Sequence, residues 1–336
     1  MRVVESLNGA LHRMMAADPE VVLIGEDVLD PYGGAFKVSK GLSTAFPGQV
    51  ITTPISEAGL VGVAVGMSLQ GFKPVAEIMF GDFVTLAMDQ IINHAAKFPW
   101  MFGLAALPLV VRVPMGGYRG YGPTHSQSLE ALFMAVPGLT MVALSHLHDP
   151  GALLERATLD AGVPILFVEN KSLYPVELEE GDMVGGLHRR VLDPRRPYPS
   201  VALSAAPDER PDVTLVAYGG LVPMAVRVAA EAMIEDEILV EVVVPAQLRP
   251  LPIEDILVSA EASGRVLVIE EGPRVGGWGA HVAADLTERA FGRLKAPVAR
   301  IGARDVPIPS ARQMEAQMLP AAGDVLAGIR DLMGKS

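Results

Sequence analysis

Residues 53–71 read TPISEAGLVGVAVGMSLQG: one carboxylate, Glu57, then an unbroken run of small and aliphatic residues. Gly59, Gly62 and Gly66 recur at spacings of three and four, which places them near one helical face. The spacing predicts a helix over 58–70, packed closely enough to require small residues. Just before it, QVITT (49–53), with the short apolar run Val50–Ile51, reads as a strand. A charge at the mouth of such a helix is expensive to bury without a partner. Two roles stay open for Glu57: capping the helix N-terminus, or being held there to act on a bound group.

The same strand-then-helix alternation runs outward in both directions. VVLIGED (21–27), KPVAEIMF (73–80), LPLVVRVP (107–114), LTMVALS (139–145) and PILFVEN (164–170) are further strand candidates. Most are continuous apolar runs, the pattern of strands buried on both faces of a parallel sheet. Helical patterns at 83–97 and 150–160 lie between them, so the expected fold class is α/β, doubly wound. A Pro- and charge-rich stretch, DPRRPYPSVALSAAPDERPD (193–212), reads as a linker or surface excursion. After it, VTLVAYGG (213–220), LVEVVVPA (239–246) and RVLVIEEG (265–272) again look like buried strands. The expected organisation is a first domain over 1–192, a linker over 193–212 and a second, smaller α/β domain over 213–336.

Composition narrows the function. The chain has 336 residues, half of them apolar, with a formal net charge of −12 and no cysteine. Disulfides, thiolate catalysis and cysteine zinc sites are excluded. The acidic balance argues against nucleic acid or an anionic membrane as partner and suits a basic protein. The longest apolar stretches, 58–69 and 131–144, are broken by Gly, Thr or Pro and fall short of the ~18 residues that cross a bilayer. A mean hydropathy of +0.34 therefore points to large subunit interfaces. The N-terminal MRVVESLNGALHRMM has no signal-peptide core and reads as an amphipathic helix of a cytoplasmic protein.

Several motifs carry chemistry. MGGYRGYGPTHSQS (115–128) is a glycine-rich loop ending in His125, either a solvated surface histidine or a general acid or base. EIMFGDF (77–83) sets Phe80 and Phe83 just past a strand end, where Phe83 could stack on a flat ring or simply fill the core. SHLHD (145–149) has metal-ligand residue types, but reads better as a capped helix start. GGWGAH (276–281) opens a helix with the wrong spacing for a dinucleotide fingerprint. There is no P-loop and no diphosphate grip of the GDG…N kind.

Taken in order, GEDV, GGAFKVSKGL, TPISEAGLVGVAVGM, EIMFGDF, DQIINHAAK, PMGGYRGYGPTHSQS, PGLTMVALS, FVENKSLY, IEEG, GGWG and ARDVPIP resemble the beta subunits of thiamine-diphosphate-dependent 2-oxo acid dehydrogenases. That family includes the pyruvate, branched-chain and acetoin enzymes. The resemblance covers nearly the whole chain and implies a transketolase-type pyrimidine-binding domain followed by a transketolase C-terminal-type domain. It implies that Glu57 bonds N1′ of the aminopyrimidine and that Met79, Phe80 and Phe83 line the ring's pocket. It implies that His125 assists acyl transfer to lipoamide, and that carbonyls of Leu109, Ala157, Thr158 and Asp160 lie where some relatives hold potassium. An alpha subunit would grip the diphosphate and magnesium, in a heterotetramer of two alpha and two beta chains that docks on a lipoyl acyltransferase core. The other readings are acetoin cleavage or ketol transfer, and a structural subunit without catalysis. The sequence departs from the family where Thr52 replaces an acid before TPISE, in VPAQLRPLP (244–252) and in the apolar FPWMFGLAALP (98–108).

Overall fold

A computed structural model describes residues 1–335. Contacts divide the chain into two units: Met1–Met115 with Phe133–Leu178, and Gly116–Leu132 with Glu179–Ser336.

In the first unit, strands β1 (Val21–Gly25), β2 (Val50–Thr52), β3 (Lys73–Glu77), β4 (Leu109–Met115), β5 (Thr140–Ala143) and β6 (Pro164–Asn170) run side by side in the order β5-β6-β4-β3-β1-β2. Every pairing among them is parallel. β1, β4 and β6 are buried along their whole length, as the continuous apolar runs require. Helices α1 (Val3–Ala17), α2 (Leu42–Ala45), α3 (Glu57–Leu69), α4 (Phe98–Phe102) and α5 (Pro150–Leu159) complete the unit. The helix expected over 83–97 is instead a 3₁₀ segment, Gly81–Ala87, followed by a π-helical one, Gln90–Ala95. Along this segment the Asp89 carboxylate accepts from Asn93 Nδ2 at 2.8 Å, and His94 Nδ1 lies 3.3 Å from the Asp89 carbonyl, five residues back.

The second unit contains β7 (Met183–Val184), β8 (Leu187–Leu192), β9 (Ser200–Ser204), β10 (Val213–Ala217), β11 (Val240–Val244), β12 (Gln247–Arg249), β13 (Val266–Pro273) and β14 (Ala299–Ala303). Its sheet has the order β14-β13-β10-β11-β9-β8-β7, parallel from β14 to β11 and antiparallel from β11 to β7. Helices α6 (Val222–Asp236), α7 (Ile253–Ser263), α8 (Trp278–Ala290), α9 (Arg312–Met318) and α10 (Ala322–Met333) belong with it.

Two expectations about organisation change. The stretch 193–212 is no linker, because it carries β9, whose five residues are all buried between β8 and β11. The polar residues read as a linker are the hairpin turn at 193–199 and the crossing at 205–212. The glycine-rich loop and the β7–β9 ribbon both fold with the second unit, which is consequently the larger of the two rather than the smaller. Among the described residues no helix is long and apolar enough to cross a membrane.

Candidate active site

β1, β2 and β3 are neighbours, and their register aligns Gly25 with both Thr52 and Glu77. The chain leaves all three strands at one edge of the sheet, which is where open parallel sheets bind ligands. That edge collects Glu26, directly after β1, Glu57, four residues past Thr53, and Met79–Phe83 after β3.

Glu57 is the first residue of α3 and is 5% exposed. Neither it nor Ser56 makes a side-chain capping hydrogen bond. No hydrogen bond or ion pair engages its carboxylate among the described residues. The capping role is therefore absent, and the helix N-terminus contributes only its dipole. Glu26 is the neighbour that the sequence reading passed over. Burial, and then the charge on Glu57, raise its pKa above the ordinary carboxylate value, while a backbone N–H of Ser56 works against them. Its Oε1 is buried with no hydrogen-bond partner among the described residues. Two carboxylates at one strand edge, one biased toward its acid form, can hold and pass a proton. The signal was present as the charged end of the apolar run VVLIGED.

Met79, Phe80 and Phe83 are half-buried, and the Met79–Phe80 peptide is cis. Phe80 meets Phe36 edge-on at 5.4 Å, and Phe36 stacks on Tyr174 at 5.0 Å. The Lys171 ammonium, itself fully buried, lies 5.4 Å from the Phe80 ring centre. Phe80 is thus committed to this aromatic cluster. Phe83 sits on the 3₁₀ segment packed against α3. Gly81, between them, has no room for a Cβ because Met115 fills the space.

Beneath the edge lies a buried ion cluster that the sequence reading also passed over. Arg112 donates to both oxygens of Glu169, at 2.6 and 2.8 Å, and to Glu77. Tyr174 donates to Glu169 at 2.6 Å. Burial pushes Glu77 up, and Arg112, fully buried between two carboxylates, stays charged. A lone arginine in the middle of LPLVVRVP was the signal.

His125 belongs to the second unit, on the glycine-rich loop, half-buried, with Thr124 Oγ1 2.9 Å from its Nδ1. That loop is held by acidic side chains: Glu271 accepts from Gly117 N at 2.5 Å and Glu315 from Gly120 N at 2.8 Å. Gly120 and Gly122 have φ of +73° and +81°, where a side chain would be strained.

The SHLHD segment leads into α5, whose N-terminus Asp149 caps by accepting from Gly151 N at 3.0 Å. Burial lowers His146 to a pKa of about 4. Among the described residues no three His, Asp or Glu side chains form a metal-binding group. Leu109 opens β4, and Ala157, Thr158 and Asp160 lie at the C-terminal end of α5. The Leu107 N–H to Gly162 carbonyl bond, 2.8 Å, ties the approach to β4 to the turn after α5. Carbonyl oxygens at a helix C-terminus suit a cation.

The transketolase pyrimidine binding domain matches residues 1–177, and the transketolase C-terminal domain matches residues 205–325. The chain is 36% identical to the pyruvate dehydrogenase E1 component subunit beta of Leifsonia xyli subsp. xyli, over 96% of this chain and 92% of that one. It is 35% identical to the 3-methyl-2-oxobutanoate dehydrogenase subunit beta of Mycobacterium tuberculosis, over 97% and 90%. It is 34% identical to the acetoin:2,6-dichlorophenolindophenol oxidoreductase subunit beta of Cupriavidus necator, over 98% and 96%. A solved structure titled as a split gene transketolase, inactive beta4 tetramer, shares the fold, with a TM-score of 0.77, 24% identity and 99% of each chain covered. With two transketolase domains in order and near-full-length identity to these subunits, the chain belongs to the family of 2-oxo acid dehydrogenase E1 beta subunits.

Proposed function

We propose that this chain is the pyrimidine-side half of a thiamine-diphosphate-dependent 2-oxo acid dehydrogenase, active only with an alpha subunit. The observation that carries the reading is Glu57: a nearly buried carboxylate, without a hydrogen bond among the described residues, at the binding edge of a parallel sheet. Such a group is costly unless a ligand supplies the missing donor. The aminopyrimidine of thiamine diphosphate is a donor of the right kind, and Phe83 and Met79 offer apolar surface to its ring. When bound, the cofactor supplies the electron sink for decarboxylation. Glu57 would hold the proton at N1′, and Glu26, with its raised pKa, would exchange protons with it. His125 is the general acid or base for acyl transfer to lipoamide.

The alpha subunit holds magnesium and the diphosphate, in an assembly of two alpha and two beta chains. Ile55, Val63, Leu86, Trp100 and Phe102 of the first unit are exposed, Trp100 by 89%. Apolar surface of this kind supports extensive subunit contacts. The acidic net charge of −12 supports docking on a basic segment of a lipoyl acyltransferase core. The carbonyls of Leu109, Ala157, Thr158 and Asp160 would hold potassium.

The test is co-expression with an alpha-like subunit, followed by assays on pyruvate, 3-methyl-2-oxobutanoate and acetoin with an artificial electron acceptor. Turnover should require both chains, thiamine diphosphate and magnesium. Glu57→Gln should abolish turnover and leave assembly intact. Unchanged turnover in that variant would sink the catalytic role of Glu57.

A further inference from the structure

The second unit carries a cavity of about 720 Å³ that the catalytic reading does not use. β13 and β14 are parallel, and Pro273 is in register with Ala303. The next residue after each strand is an arginine, Arg274 and Arg304, so two arginines follow neighbouring strands at the same level, and both line the cavity. Arg300, inside β14, joins them from the same wall and donates to the Arg274 carbonyl at 2.8 Å. None of the three forms a close ion pair among the described residues, although the Arg300 charge acts on the Glu270 carboxylate beside it. In a chain of net charge −12, the cavity's charged lining, three arginines against Asp305 and Asp324, is net positive by one. The segment Gln317–Pro320 completes the lining, held beside β14 by the Arg304 N–H bond to the Met318 carbonyl at 2.8 Å, with Leu319 buried against Ala303 and Ile308. Asp305 and Asp324 also face the cavity; the Asp324 carboxylate caps α10, accepting from Ala321 N at 2.9 Å, and keeps its charge there.

The turn between β13 and α8 leads into a helix N-terminus, a place where anions can bind, but that helix end is already taken. Glu270 accepts from Gly279 N at 3.1 Å, and Gly277 and Gly279 leave room only for that carboxylate. Anion binding here must therefore come from the guanidinium groups, which suit phosphoryl oxygens through paired, charge-assisted bonds.

We propose that the cavity between Arg274, Arg300, Arg304 and Leu319 binds a phosphorylated small molecule. Its phosphoryl groups lie on the three arginines and its body against Met318–Pro320. A cavity of this size takes a nucleotide-sized ligand. The site is independent of the thiamine reading, because its residues lie within one unit and none has a catalytic role.

The experiment is isothermal titration of the full-length chain with pyrophosphate, ATP and citrate, at low and at physiological salt. Pyrophosphate and ATP should bind saturably and more weakly as salt rises. Arg274→Ala and Arg304→Ala should each weaken binding by about tenfold or more. Arg293→Ala, whose arginine pairs with Glu261 beyond the far end of α8, should leave it unchanged. No saturable binding of either phosphate probe would overturn the proposal. So would equal affinity in all three variants, or citrate binding as tightly as pyrophosphate.

Discussion

Replacing Glu270 by Gln should change the pH dependence of stability in a predictable direction. The Glu270 side chain is 1% exposed and sits at the N-terminus of α8. Burial raises its pKa from 4.5 to about 7; the Gly279 N–H opposes the rise, and the Glu130 carboxylate adds to it. A folded pKa above the unfolded one means that the folded state holds the proton more tightly. The resulting stabilisation is complete below about pH 4.5 and is lost as the pH passes through about 7. Moving the pKa by that interval corresponds to roughly 3 kcal/mol, at about 1.4 kcal/mol per tenfold in proton concentration. Glutamine keeps an acceptor for Gly279 and removes the titration. Any fixed cost of its amide is the same at every pH and cancels in the comparison. Urea unfolding of both proteins at about pH 5 and about pH 8.5 should show the variant gaining roughly 2–3 kcal/mol on the wild type across that interval. A difference between the two proteins that stays flat with pH would refute the assignment of a buried, titrating carboxylate to this position.

Arg112→Met strands Glu77 and Glu169 in the core without their cation; the cost should be about 3–5 kcal/mol by denaturant unfolding at neutral pH, and a loss under 1 kcal/mol would contradict the buried cluster. Gly138→Ala places a Cβ against the Ala96 carbonyl at a φ of +83°, so the variant should lose about 1–3 kcal/mol, and an unchanged melting temperature would rule that crowding out. Phe83→Ala in the reconstituted complex should weaken thiamine diphosphate binding by about threefold to tenfold, from the roughly 0.5–1.5 kcal/mol of a ring contact. Equal cofactor affinity would remove Phe83 from the pocket.

The first unit's parallel strands were legible because burial on both sheet faces leaves continuous apolar runs, as in VVLIG and PILFVEN. The region after β3 was less so. EIMFGDF could be read for its aromatics, but the contacts that divide Phe80 from Phe83 come from Phe36, Tyr174 and Lys171, between 44 and 94 residues from Phe80 along the chain. The stretch 193–212 misled for a related reason. Its Pro and Arg residues lie in the turns, and β9 is a strand only because β8 and β11 pair with it.

Local order in the chain determined the glycine-bearing helix, though not the close packing expected of it, since Gly66 faces open space; it also determined the carboxylate at its mouth, the absence of thiolate chemistry and the family, because each of these is a matter of residue type and spacing. Tertiary structure alone decided which unit takes the His125 loop, that Glu57 does not cap its own helix, that Glu26 stands beside it, and that Arg274 and Arg304 emerge side by side. Those facts depend on strand register and on contacts between distant segments. Such pairings are settled by burial in three dimensions, of which a linear pattern carries only the apolar half.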